Sequence, residues 1–340
     1  MPKWLKEMGP ESDIVISSRI RMARNIESIP FPNYLDGEKS KEIIEMVYKT
    51  ISNANLFFEK DFNLIKMKEK NGIDRLNYVE KHLISPALAN NIIGGAALIN
   101  KEETISIMIN EEDHIRIQCL LPGLQLDGCL DLGDKIDDLL EENIQYAFDE
   151  QLGYLTACPT NVGTGVRASV MVHLPALTLT GYIKGIFQVA GKIGIAIRGI
   201  YGEGTQYLGN IYQISNQVTL GSSEEEIINN LRNVTLQVIQ NERNARDHLL
   251  KTKTVEIEDR VFRSYGTLKT ARLLSSNEAM GLISDVKLGV NLNLINEVST
   301  EKLNELISII QPGYLQKYFE SELPGIERDI KRAQLVREKI

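Results

Sequence analysis

The 340-residue chain is poor in the groups from which metal centres and disulfide scaffolds are built. Its three cysteines, Cys119, Cys129 and Cys158, are odd in number and show no CxxC spacing. Its four histidines form no HxxxH pair. Neither a zinc site nor a disulfide framework follows from such a set, and the thiols read as reduced. No apolar run approaches the roughly 18 residues of a membrane span. The opening residues, Met-Pro-Lys-Trp-Leu-Lys-Glu-Met-Gly-Pro, lack the apolar core of a signal peptide. A cytoplasmic location, away from membranes, is the expectation. A formal charge of −8 argues against broad nucleic-acid binding. The phosphate-binding GxxxxGK loop is missing, as are the HRD and DFG motifs of Ser/Thr/Tyr kinases. Gly163-Thr-Gly165-Val-Arg-Ala168 imitates a dinucleotide fingerprint, but it follows Cys-Pro and precedes a strand, the wrong context.

What the chain does have is arginine in well-chosen places. Cys158-Pro-Thr-Asn-Val-Gly-Thr-Gly-Val-Arg-Ala-Ser169 gathers a lone thiol, two glycines and Arg167 in twelve positions. Gly163 and Gly165 are expected to bring bare backbone and open N–H groups to an anionic ligand, and Arg167 opens a period-two strand. If Ile14 to Arg21 is also a strand, Ile14, Ile16 and Ile20 share one face while Arg19 and Arg21 share the other. Such a pair makes a good phosphate clamp.

Further elements follow from periodicity. A helix is expected over 40–54, and a strand ending in a loop within Leu76 to Ala89, carrying His82. Ile105, Ile107 and Ile109 alternate as a strand with one buried face. The acidic run Asn110 to His114 then either turns a hairpin or continues the strand, in which case Glu112, His114 and Arg116 share a face. Asp131 to Gly153 reads as a helix closed by glycine, and Gly181 to Gly191 as a short one. Strands are expected at Ile193 to Ile197 and within Leu208 to Leu220. Ser222 to Lys251 is a long helix with a capping box at Ser222 and Glu225. Beyond residue 252 the patterns are mainly helical. Two domains result, 1–251 and 252–340.

Arg19, Arg21, Arg116, Arg167 and Arg198 each fall near a predicted strand end or glycine loop. With a divalent ion they could neutralise a nucleoside triphosphate and spread charge from a transferred phosphoryl group. Glu112 and Glu203, with Cys158 nearby, could hold a planar cation. A guanidinium stays protonated, with a pKa above about 12, so carboxylates that align it and accept its proton would make it a nucleophile.

These residues carry a resemblance. Cys158-Pro-Thr-Asn-Val-Gly-Thr164 matches the signature of the phosphagen (guanidino) kinases. Four further blocks match in the same order: Ser17-Ser18-Arg19-Ile20-Arg21; Asn110-Glu-Glu112-Asp-His-Ile-Arg116; Arg167-Ala168-Ser169-Val170-Met171; and Arg198-Gly199-Ile200-Tyr201-Gly202-Glu203. Together they cover roughly residues 12–250. The resemblance implies an α+β, guanidino-kinase/glutamine-synthetase-like catalytic domain, with a mostly antiparallel sheet flanked by helices and a helical C-terminal domain after it. It implies that the ATP-binding blocks are Ser17 to Arg21, Arg116, Arg167 to Met171 and Arg198 to Glu203. His82 would seat the nucleotide, Glu112 and Glu203 would bind the guanidinium with Glu112 as base, and Cys158 would be the reactive thiol. ATP would bring Mg2+ with it, so no protein metal site is expected.

Phosphagen kinases place a helical domain ahead of the first arginine block. Here that block begins at Ser17, and the layout is similar to that of the bacterial protein-arginine kinases, whose substrates are arginines displayed on proteins. Arg328-Asp329-Ile-Lys-Arg332-Ala333 resembles their RDxxRA motif, which implies an allosteric phosphoarginine site. Arg328 and Arg332, at i and i+4, could share a phosphate. The resemblance further implies a homodimer, a transcriptional repressor among the substrates, an activating adaptor, and a AAA+ protease that receives marked proteins. A free-arginine phosphagen kinase and a non-catalytic phosphoarginine-binding adaptor are the alternatives.

Overall fold

The computed structural model describes residues 2–53, 62–199 and 208–340. Its strands are β1 (Val15–Arg24), β2 (Phe62–Lys66), β3 (Ala96–Asn100), β4 (Ile105–Ile109), β5 (Ile115–Pro122), β6 (Phe148–Asp149), β7 (Gly153–Tyr154), β8 (Val166–His173), β9 (Ile195–Gly199) and β10 (Ile211–Asn216). Helices α1 (Lys3–Lys6), α2 (Gly37–Asn53), α3 (Gly72–Glu80), α4 (Pro86–Asn90) and α5 (Leu126–Glu141) accompany the first strands. Then come α6 (Pro175–Leu179), α7 (Ile183–Lys192) and the long α8 (Glu224–Thr252). The chain finishes with α9 (Thr254–Thr270), α10 (Ser276–Asn291), α11 (Thr300–Ile309), α12 (Pro312–Tyr318) and α13 (Gly325–Lys339). Eight strands form one antiparallel sheet in the order β2-β3-β4-β5-β1-β8-β10-β9, and β6 and β7 make a separate ribbon.

The alternation of β1, at the centre of the sheet, decides which face does what. Ile20 lies opposite Cys119 and Ala168, whereas Arg21 lies opposite Gln118 and Arg167. Residues opposite one another in a ladder point to the same side, so apolar and cationic residues separate cleanly across three strands. Ile20, Met22, Ile117, Cys119, Ala168 and Val170 are buried in the main core, to which α5 and α8 also contribute. Each such aliphatic side chain contributes about 1.5–3 kcal/mol by leaving water. On the other face, a smaller core containing Ile65, Leu83, Leu88, Ile99 and Met108 lies beneath α3 and α4 at the β2–β4 end. The arginines stand beside that cover, over β5, β1 and β8.

The C-terminal helices join this frame through buried polar contacts. Glu80, at the end of α3, accepts hydrogen bonds from Gly313 N (2.7 Å) and Tyr314 N (2.8 Å) at the start of α12. His173, on β8, meets Ser284 Oγ of α10 at 2.8 Å. Lys287 of α10 is fully buried and donates to Asn304 Oδ1 of α11 at 2.7 Å. The main core runs unbroken from Trp4 to Val336.

Several local expectations need correction. Leu76 to Ala89 holds no strand: Asn71 caps α3 by accepting from Asp74 N, and Ser85 caps α4 by accepting from Leu88 N, with Pro86 in the first helical turn. His82 sits in the turn between them at φ 57°. Asn110 to His114 turns a hairpin, closed by Asn110 N→His114 O (2.9 Å), so Glu112, His114 and Arg116 do not share a strand face. All five residues of β4 are buried, because both sheet faces are covered there. The helix expected over 131–153 is α5, which starts earlier and stops at Glu141, and Gly153 lies in the β6–β7 ribbon. The capping box of α8 is one residue later than expected, with Ser223 and Glu226 satisfying each other's backbone N–H.

Candidate active site

Register brings the arginines together. Arg19 donates from Nε to Ser169 Oγ (3.2 Å) and from Nη2 to Gln213 Oε1 (2.7 Å). Arg21 lies between Arg167 and Gln118, and its buried Nε has no hydrogen-bond partner among the described residues. Burial holds the Arg21 guanidinium well below its ordinary proton affinity, with the charges of Arg19, Arg116 and Arg167 adding to the effect. Arg19 is pushed down to about 10, first by burial and then by Arg116. Arg116 is ion-paired with Glu111. Glu111 stays below the usual carboxylate range: burial would raise it, but Arg116, a hydrogen bond with Ser85 and the charge of Arg21 outweigh that. Arg198 is exposed on β9, opposite Gln213. A sheet face with this much unneutralised positive charge, and an orphaned Nε within it, fits a polyphosphate.

Not every residue of the predicted blocks reaches that face. Ile20, Ala168 and Val170 point into the core on the opposite side, where the pleat must send them. Ser18 is also buried: its Oγ donates to Gly123 O (2.8 Å) and accepts from Gln125 N (2.9 Å), which fixes the turn after β5. Ser17 is buried between Pro122 and Met171, and Met171 is half-buried on the arginine side. Gly199 ends β9, while Ile200, Tyr201, Gly202 and Glu203 lie outside the described residues. His82 stands beside the Trp4 ring, and its carbonyl accepts from Gln118 Nε2 at 2.7 Å. Burial, then the nearby charge of Arg19, pushes its imidazole down to about 3, so the ring is neutral at physiological pH.

A carboxylate and a thiol flank the arginines. Glu112 is exposed at the tip of the β4–β5 hairpin, beside Cys158, whose thiol opposes the rise of its pKa. Burial raises its pKa, as do the negative charges of Asp113 and Glu111. Cys158 Sγ lies 3.0 Å from Thr160 Oγ1, which accepts from Arg167 Nη2 at 2.7 Å; Arg167 Nε donates to Asn161 Oδ1 at 3.0 Å. One loop thus carries the thiol and also orients a guanidinium.

The glycines of that loop do something other than expected. Gly163 is at φ 110°, and a Cβ there would lie 2.3 Å from Thr219 O. Gly165 is at φ 70°, where a Cβ would lie 2.5 Å from Arg24 Nη1 and 2.7 Å from Ala23 O. The partner these glycines admit is the protein's own backbone, and Thr164 N is already bonded to Thr219 O (3.2 Å). The loop is a rigid platform for Cys158.

The residues that fix this platform carry no sequence signal of their own. Arg24 is buried, forms a bidentate pair with Asp137, donates to Thr164 O (2.9 Å) and stacks 3.6 Å from the Tyr154 ring. Asn25 and Asp113 tie the glutamate hairpin to the cysteine loop. All three act through partners remote in sequence.

In α13, Arg332 is buried and largely committed: Nε donates to Ile310 O (2.7 Å), while Nη1 donates to Leu274 O (2.8 Å) and Asp329 Oδ1 (2.6 Å). Arg328 is half-buried beside it, and its guanidinium makes no hydrogen bond or ion pair among the described residues. Ala333 is buried beneath them. Arg332 therefore braces the junction of α11 and α12, and Arg328 is the more available cation.

Among the described residues, no helix is long and apolar enough to cross a membrane. The family of the ATP:guanido phosphotransferase C-terminal catalytic domain matches residues 42–245, and that of the protein-arginine kinase McsB C-terminal domain matches residues 254–340. The protein-arginine kinase of Caldanaerobacter subterraneus subsp. tengcongensis is 56% identical over 326 residues, 96% of each chain. That of Geobacillus sp. (strain WCH70) is 52% identical over 337 residues, 99% of this chain and 93% of the other. Among solved structures, lombricine kinase superposes with a TM-score of 0.60 at 25% identity, covering 71% of each chain. The duplicated taurocyamine kinase of Schistosoma mansoni gives 0.63 at 23% identity, over 79% of this chain and 41% of that one, a likeness of fold. The chain belongs to the ATP:guanido phosphotransferase family and, within it, to the protein-arginine kinases.

Proposed function

We propose that the arginine face binds the phosphates of ATP, and that Glu112 with Cys158 receives an arginine side chain of a protein substrate. The observation that carries this reading is the juxtaposition of a buried Arg21 Nε, without a hydrogen-bond partner among the described residues, with Glu112 and Cys158, both of which act on the neighbouring Arg167. Arg19, Arg21, Arg116, Arg167 and Arg198 would hold the triphosphate, and His82 would lie at the nucleotide's other end. Magnesium would arrive on the phosphates as part of the substrate. The attacking guanidinium nitrogen forms the N–P bond as the γ-phosphorus leaves the ADP oxygen, which keeps the bond's electron pair. Glu112 takes the proton released from that nitrogen. Phosphoryl transfer of this kind is governed by positioning and charge, and a positioned base contributes about 10²–10⁴ in rate. Glu203 is proposed as the second guanidinium ligand.

The reading extends to regulation and partners. Arg328, with Asp329, Arg332 and Ala333, would receive phosphoarginine as an allosteric ligand, chiefly through Arg328. Residues 252–340 would form the dimerisation domain; Val255 and Phe262 on α9 and Ile326 on α13 are exposed apolar side chains that a second copy would cover. A transcriptional repressor among the substrates, an activating adaptor, a AAA+ protease that degrades marked proteins, a role in the stress response and a cytoplasmic location complete the proposal.

The deciding experiment is incubation of the full chain with labelled ATP and a mixed protein pool, followed by mapping of acid-labile phosphate. Label on protein arginine, reduced by about 10²-fold or more in Glu112→Gln, is the expected result. Label confined to free arginine would support a phosphagen kinase instead. Label on serine or histidine, or its absence, would sink the proposal.

A further inference from the structure

We infer that Asn25 is a positioning residue for phosphoryl transfer, holding the Glu112 hairpin and the Cys158 loop in one fixed relation. This rests on the reading of Glu112 as the base. Asn25 follows the last residue of β1 and is 1% exposed. Its Nδ2 donates to Asp113 Oδ1 (2.6 Å) and to Leu155 O (2.9 Å), while its Oδ1 accepts from His114 N (2.9 Å). Asp113 Oδ1 also accepts from Ala157 N at 2.7 Å. A single amide therefore joins the residue after Glu112, the next residue of the hairpin, and the segment that enters Cys158. The outer side of the hairpin is tied as well: His114 Nδ1 accepts from Ile26 N (3.0 Å) and Nε2 meets Pro30 O (2.8 Å), leaving Glu112 at the free tip.

The chemistry of the position requires a primary amide of this length. Two donors and one acceptor must radiate from one neutral group, and among side chains only Asn and Gln offer two donors together with an acceptor. Aspartate would keep the contact to His114 N, lose both donors, and set a second carboxylate against the buried Asp113. Serine is too short to span both loops. Misplacement of a reacting group by about 1 Å can cost about 10²-fold in rate, so loss of the brace should appear in kcat. The arginine face on β1, β5 and β8 does not depend on it.

The test uses the full chain with Asn25→Ser, which puts no charge beside Asp113, and, as an isosteric second variant, Asn25→Asp. Expected results are a fall in kcat for protein arginine of about 10²-fold and a KM for ATP within about twofold of wild type. A second readout is independent of catalysis: alkylation of Cys158 by iodoacetamide at one fixed, mildly alkaline pH, Cys119 and Cys129 being buried. Taking the Glu112 carboxylate away from Cys158 should change that rate several-fold. Glu112→Gln and Asn25→Ser should do so to the same extent, and the double variant no further. A normal kcat in both Asn25 variants, a loss of ATP affinity matching the loss of kcat, or additive alkylation effects would overturn the inference. If Glu112→Gln keeps full kcat while the alkylation effects remain non-additive, the brace stands and the assignment of the base fails.

Discussion

A carboxylate that accepts a proton from a guanidinium, the role proposed for Glu112, works across a wide gap in proton affinity, and the neighbours of Glu112 narrow it. Burial, Asp113 and Glu111 all raise its pKa, while Arg116 and the Cys158 thiol oppose them. The base must be ionised to act, so kcat at saturating ATP should fall as pH drops through the raised pKa of Glu112. Replacing Glu111 by Gln removes one like charge and frees Arg116, both of which lower the Glu112 pKa. The acid limb of the kcat profile is therefore expected to move to lower pH in Glu111→Gln, and an unmoved or upward-shifted limb would refute the assignment. Arg19 and Arg21 are legible at this scale because alternation along a strand fixes which residues share a face, whereas Arg116, Arg167 and Arg198 stand out only as arginines near strand ends or glycine loops. Asn25, Arg24 and Asp113 were not: the Asn25–Asp113 bond spans 88 residues and the Arg24–Asp137 pair spans 113. No local pattern encodes either.

Among the elements, the Cys158 loop depends most on a backbone that only glycine adopts easily. Gly165 combines φ 70° with a Cβ position 2.5 Å from Arg24 Nη1. Gly165→Ala should add about 1–3 kcal/mol of strain and push Arg24 from Thr164. The expected outcome is a lower unfolding midpoint and a kcat reduced by about tenfold or more; a variant with wild-type values of both would show that the loop is not rigid. The glycines stand out in the sequence but their partner does not, since the nearest backbone is 56 residues away at Thr219 for Gly163 and belongs to β1 for Gly165. Strands with strict alternation, such as β1 and β4, were read correctly as strands. The segment around His82 was not, because a Ser-Pro pair at a helix start looks much like the end of a strand when its N-cap bond is unseen.

For the molecule as a whole, the buried contacts of the C-terminal helices carry an electrostatic signature. Burial pushes Lys287 down to about 7 from its ordinary 10.5, and the charge of Arg246 on α8 adds to the effect, while Asp13 opposes it. His173 of β8 is held neutral by burial and by Lys287 itself. Between the two pKa values the unfolded chain holds a proton that the folded one lacks, so this group makes stability rise with pH from about 7 towards 10. Lys287→Met should flatten that part of the pH dependence of the unfolding midpoint; identical slopes in variant and wild type would exclude the account.

The central place of β1 has a consequence for how the chain comes into being. It is made early, yet its neighbours arrive late: the Arg19–Ser169 contact spans 150 residues. Pairing across such a separation carries a loop-closure cost and folds slowly. Until β5 is made β1 is thus an unpaired strand with one apolar face, and its other edge stays open until β8 follows, the kind of segment that invites association with other chains. Arg19, Arg21 and Arg24 lie within it, and charges so placed act as gatekeepers against aggregation. Before Arg19 and Arg21 can take up the phosphate-binding role proposed for them, they serve to protect the strand from which the enzyme is assembled.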